Sequence, residues 1–113
     1  MKLVNAATNE IIADKLVMKD SFFGRFWGLL GTKSLGDGEG IILKPCTQIH
    51  TFFMRMPIDA VFIGNNLEVL HVIENMGAWR LSPLLLKSVY TVEVGAGALK
   101  GRLKKGDSIV FRP

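Results

Sequence analysis

The chain has 113 residues, 49% of them hydrophobic and 21% charged, and carries a net charge of +4 at pH 7. That suffices for one domain spanning residues 1–113 with one substantial core, and it is too apolar for a disordered chain. Charged residues interrupt every apolar run before membrane-spanning length, and the lone cysteine, Cys46, excludes an internal disulfide.

The N-terminal stretch "MKLVNAATNEIIADK" lacks the continuous apolar core of a signal peptide. With the lone cysteine, it leads us to expect a cytoplasmic protein. "KLVNAA" and "EIIADKLVMK" have the pattern of two strands joined at Thr8-Asn9. In "DSFFGRFWGLLG", Phe22, Phe23, Phe26, Trp27 and Leu30 recur at helical spacing. Asp20 or Ser21 caps the start and Gly31 closes the end, so a short amphipathic helix is expected over about 21–30. "SLGDGEG" is a loop, and no lysine-serine or lysine-threonine follows to make it a phosphate loop. "GIILK" predicts a strand that stops at Pro45, and "TQIHTFFM", rich in β-branched and aromatic residues, predicts another, broken by Pro57. "IDAVFI" and "LEVLHVIE" form a hairpin through Gly64-Asn65-Asn66. "NMGAWRLSPLLLKS" is an irregular excursion before two last strands, "VYTVEV" and "DSIVF". The expected fold is mainly β, a small barrel or sandwich with one short helix packed on it.

Chemistry concentrates in "CTQIHTFFMRMPIDAVFI", Cys46 to Ile63. Extended backbone there puts Cys46, Gln48, His50, Phe52 and Met54 on one face, and Thr47, Ile49, Thr51, Phe53 and Arg55 on the other. Asp59, set among core-like neighbours, needs a cation or several N–H donors. Arg25, Arg55 and Arg80 are the candidate cations, with Arg55 first. The alternative to a structural ion pair is a ligand-binding arginine lined by aromatics. The candidate ligand-binding residues are accordingly His50, Met54, Arg55, Asp59, Trp79 and Arg80, taking a small molecule or a protein. A rival enzyme reading uses Cys46 as thiol nucleophile, His50 as base and Asp59 as orienter. His71 completes three possible zinc ligands without paired spacing, so no metal and no other cofactor is expected. The cluster Lys100, Arg102, Lys104 and Lys105 lacks stacking aromatics, and Gly101 and Gly106 mark it as a turn. It fits a solvated turn better than a nucleic-acid contact. Composition leaves the oligomeric state open.

Several of these segments occur together in a known family. "RFWGLL", "HTFFMRMPIDAVFI", "WRLSP", "VEVGAG" and "KKGDSIVF" fit in order and spacing, and on them the chain resembles domain-of-unknown-function family 192 over nearly its whole length. The resemblance implies a compact, mainly β single domain and no established activity. Leu30, Met56 and Ala78 depart from the family pattern.

Overall fold

A computed structural model describes residues 1–21 and 28–113. Among these residues eight strands carry the chain: β1 (Lys2–Asn5), β2 (Ile11–Ala13), β3 (Lys15–Lys19), β4 (Glu39–Leu43), β5 (Ile58–Gly64), β6 (Val69–Met76), β7 (Ser88–Gly95) and β8 (Ile109–Arg112). They form a three-stranded sheet in the order β2-β1-β8 and a five-stranded sheet in the order β3-β4-β7-β5-β6. All pairings are antiparallel except β3 with β4. The sheets are stitched along two seams. Leu16 N donates to Met1 O at 3.0 Å on one side; on the other, Val69 N donates to Asp107 O at 2.8 Å and Ile109 N to Leu67 O at 2.9 Å.

The expected mainly β barrel or sandwich is therefore present. "EIIADKLVMK", expected as one strand, is two strands in different sheets. Asp14 N and Lys15 N both donate to Gly38 O, at 3.1 and 2.8 Å, and this contact turns the chain between them. Most of the helix expected over about 21–30 falls on residues 22–27, outside the described residues; Gly28–Leu30 belong to a turn in which Thr32 N donates to Leu29 O at 3.0 Å. No helix among the described residues is long and apolar enough to cross a membrane.

Alternation along the central strands builds two cores. One face sends Ile42, Val61, Ile63, Val92 and Val94 into the space between the sheets, where they meet Leu3, Leu99, Leu103 and Ile109. The opposite face sends Ile41, Leu43, Ile58, Ala60 and Phe62 outward, where they meet Leu29 and a cap that contributes Ile49, Met54 and Met56. Strand β5 is buried at every position, which explains why it is apolar or glycine throughout except at Asp59. Gly40 is required where β4 crosses β7: a Cβ there would collide with the Glu93 carbonyl oxygen and the Val94 side chain.

Candidate functional site

The cap is built from two excursions, residues 44–57 and 77–87. "TQIHTFFM" is not a strand but part of the first. Its backbone pairs with the second excursion in a broken ladder rather than with a sheet. Leu85 N donates to Thr47 O at 2.8 Å, Ser82 N to Ile49 O at 3.0 Å, Thr51 N to Arg80 O at 2.9 Å and Trp79 N to Thr51 O at 3.0 Å. Side chains replace the missing rungs. Ile49 N donates to Ser82 Oγ at 2.9 Å. The buried Thr51 hydroxyl donates to Gly77 O at 2.6 Å and accepts from Arg80 N at 2.9 Å. The expected alternation survives up to Thr51 and then shifts by one residue. Phe53 adopts φ 63° in the turn closed by Met54 N donating to Thr51 O, so Met54 and Met56 point inward while Phe53 and Arg55 point out.

The structure thus divides the six candidate residues. His50, Arg55, Trp79 and Arg80 belong to the outer part of the paired excursions, none of them buried. Met54 is buried in the outer core. Asp59 is fully buried, but no arginine holds it among the described residues. Its carboxylate accepts from Asn75 N at 2.7 Å, Gly97 N at 3.0 Å and Leu99 N at 3.1 Å. The expected Arg55 pair is replaced by backbone donors, and Arg55 is exposed. Both Asp59 oxygens are so occupied that Asp59 does not serve as an orienter for His50. The Cys46 thiol donates to Gln48 O at 3.4 Å, and His50 Nδ1 accepts from Phe52 N at 3.2 Å.

The outer tip is aromatic. His50 and Phe52 stack with centroids 5.0 Å apart, Phe52 lies 6.0 Å from Trp79, and Phe53 and Trp79 are 4.5 Å apart. Phe53 is 68% exposed and Trp79 61% exposed, although both rings are large and apolar. Trp79, at φ 62°, shares the left-handed backbone of Phe53. Leu81, Leu84 and Leu86 are exposed along the second excursion, next to Arg80 and Lys87. Sequence reasoning missed Phe53, whose exposure depends on the register shift, and it missed Thr51 as the clamp.

It also missed Glu93 and Thr91. Both are buried on the outer face of β7, 4% and 0% exposed. Glu93 lies directly across from Ile41 and Ala60, and Thr91 across from Leu43 and Phe62. Among the described residues no hydrogen bond or ion pair reaches the Glu93 carboxyl, and the Thr91 hydroxyl has no partner. Burial alone pushes the Glu93 carboxyl up from 4.5 to about 7.

The basic turn is partly consumed by structure. Arg102 donates to Ala98 O at 2.7 Å, to Ile12 O at 3.3 Å and to Glu10 at 3.3 Å. Lys104 pairs with Asp107 at 3.0 Å, and hydrogen bonds from its side chain and backbone hold the Asp107 carboxyl below its usual range.

These features define a small, mainly β domain of two cores, capped by a hydrogen-bonded double excursion with an exposed aromatic tip. The chain belongs to domain-of-unknown-function family 192, described as "Uncharacterized ACR", whose model matches residues 4–111. It is similar to a UPF0127 protein of Thermococcus sibiricus, 28% identical over 101 residues that span 86% of this chain and 65% of that protein. A UPF0127 protein of Thermococcus kodakarensis is 25% identical over 116 residues, 98% of this chain and 73% of that one. In fold the chain is similar to a crystallised protein of unknown function from Novosphingobium aromaticivorans (TM-score 0.83, 19% identity, covering 97% of this chain and 82% of that one). It is also similar to a protein from Sinorhizobium meliloti described as a putative transcription regulator (TM-score 0.78, 18% identity, covering 96% and 89%).

Proposed function

We propose that the protein is a binding module that captures a protein partner on the aromatic tip, with Phe53 and Trp79 as anchors and Arg55 and Arg80 as the charged flank. One observation carries this. Two large rings, both more than 60% exposed and 4.5 Å apart, are presented from left-handed backbone that costs about 1–3 kcal/mol per non-glycine residue. The surrounding ladder holds that strain in place, and aromatic and arginine side chains are the residues that anchor protein contacts. Both rings are largely exposed, so a protein segment that can cover them suits the tip better than a small molecule, and the arginines favour an acidic one. The lone cysteine supports a reducing compartment such as the cytoplasm.

The test is a photo-crosslinking amino acid placed at position 53 and, as a control, at position 105. Position 53 should trap a discrete partner that position 105 does not. Against that partner purified, the double variant Phe53→Ala/Trp79→Ala should lose about a hundredfold in affinity with its unfolding midpoint unchanged. Equal trapping at both positions, or a double variant that binds like wild type, overturns the proposal.

A further inference from the structure

Three borders of the two sheets are blunted. The Arg102 guanidinium donates to Ile11 O and Ile12 O along β2, at 3.5 and 3.3 Å. Strand β8 is joined to Leu67 O through Ile109 N, at 2.9 Å. Strand β6 breaks register twice against β5 and turns its backbone at Asn75, φ 56°. Such devices keep a sheet from taking on a further strand. The border formed by β3 is different. Parallel neighbours bond through alternate residues. Lys15 N donates to Gly38 O at 2.8 Å and Lys44 N to Lys19 O at 3.1 Å, so Lys15, Val17 and Lys19 turn their backbone groups to β4. Leu16 and Met18 turn theirs away. Leu16 is taken, because it exchanges two bonds with Met1, of 3.0 and 3.3 Å. The Met18 N–H and C=O point out from the sheet and have no partner among the described residues.

The side chains beside this open rung are sorted by face. Leu16 and Met18 turn to the inner core. Lys15, Val17 and Lys19 turn to the outer face, where they line a cleft of about 270 Å³ together with Leu29, Leu35 and Ile41. Val17 is 55% exposed. Neither lysine is in an ion pair among the described residues. Glu39, the acidic residue of the cleft, lies across from Lys15 but accepts from Gly36 N.

An added strand takes its affinity from open backbone groups and its specificity from pockets for alternate side chains, and this border offers both. We propose that β3 accepts an extended acidic segment of another protein as a further strand, antiparallel to it, the direction in which Met1 already lies against Leu16. One residue of the segment exchanges both backbone bonds with Met18. Its two neighbours lie on the outer face, an acid opposite Lys19 and an apolar residue opposite Val17 that reaches into the cleft. Met1 holds the Leu16 rung, so the segment leaves the sheet there and passes Lys15, where a second acid is favoured. A second copy of this chain fits poorly. Centred on Met18, two β3 strands would place both Lys19 side chains at diagonal positions on one face. Asp20 of each would also have to pair with Leu16 of the other, where Met1 stands. This border is separate from the aromatic tip.

The probe is a capped peptide, glutamate-threonine-leucine-glutamate flanked by glycines, titrated to about 5 mM while backbone amide shifts are followed. Binding should saturate, with the largest changes at Met18 and its neighbours on β4. Methylating the peptide's threonine nitrogen removes the bond to Met18 O and should weaken binding about tenfold, as should Lys15→Gln/Lys19→Gln. The tip variant Phe53→Ala/Trp79→Ala should bind this peptide like wild type, so the proposal for β3 and the reading of the tip fail separately. Five results would overturn the proposal. They are the absence of any saturable shift, shifts centred on Phe53 and Trp79, a methylated peptide that binds as tightly as its parent, a Lys15→Gln/Lys19→Gln variant that binds like wild type, and octanoate matching the peptide, which would make the cleft a site for small carboxylates. Shifts at Met18 that grow with protein concentration alone would replace the acidic segment with a second copy and overturn it as well.

Discussion

Asp59 and Glu93 are two buried carboxyls on adjacent strands with opposite fates. Asp59 faces the inner core and accepts three backbone N–H groups. Replacing it with alanine strands those donors in an apolar interior, so Asp59→Ala should lower stability by about 3–5 kcal/mol in urea melts. Asp59→Asn should cost nearly as much, because its amide nitrogen faces donors. Arg55→Ala should change stability by less than about 0.5 kcal/mol, since Arg55 is exposed and does not hold the aspartate. Glu93 works in the other direction. Its folded pKa, about 7, lies above its ordinary 4.5, so the folded state holds the proton more tightly than the unfolded chain. Its neutral form is tolerated below pH 4.5, and the penalty for ionising it grows as pH rises to 7, reaching roughly 3 kcal/mol. Glu93→Gln should therefore gain on wild type between pH 5 and pH 8, measured as the difference between their urea midpoints. That Asp59 is buried was legible from its apolar neighbours in "PIDAVFI". Its partners were not, because backbone donors from residues 75, 97 and 99 leave no mark on residue type. Glu93 alternates with the valines of "VYTVEV", a pattern that does not mark it as buried; its burial comes from the outer core that covers this face.

At the scale of elements, the paired excursions show what a strand-like pattern becomes when no sheet edge receives it. "TQIHTFFM" carries the right alternation as far as Thr51, and its burial follows. The partner is an irregular segment with Ser82 and Thr51 side chains filling in for rungs. Pairing of this kind depends on residues about 30 positions apart, beyond the reach of local periodicity. Thr51 is its hub: backbone N, backbone O and hydroxyl are all engaged. Thr51→Val keeps the shape but leaves Gly77 O and Arg80 N without their side-chain partner. It should cost about 1–3 kcal/mol and speed amide exchange at Arg80 more than at any residue of β5. Of the candidate site, the sequence placed His50, Trp79 and Arg80 together, and the bridge between His50 and Leu81 is the physical reason. It included Met54 and Asp59, which the core keeps.

For the whole molecule, the class of fold was legible because short β-rich segments and turn signals recur along most of the chain. The division into two sheets was not. It turns on the break at Asp14, where the Gly38 carbonyl, a contact 24 residues away in sequence, takes both Asp14 N and Lys15 N. One pairing has a further consequence. Lys2 sits opposite Arg112 at the end of the β1–β8 ladder, so the first and last strands bring the ends of the described chain to about 5 Å between Cα atoms. Sequence order and spatial order are then nearly separable, because a few flexible residues suffice to join the two ends into a ring. Reopening that ring at Asn65-Asn66, in an exposed hairpin turn, should yield a circular permutant with the same fold. Its amide spectrum should superimpose on that of the parent except near the old and new termini, with a modest loss of melting temperature. The barrel would be shown to depend on which strands touch rather than on where the chain starts.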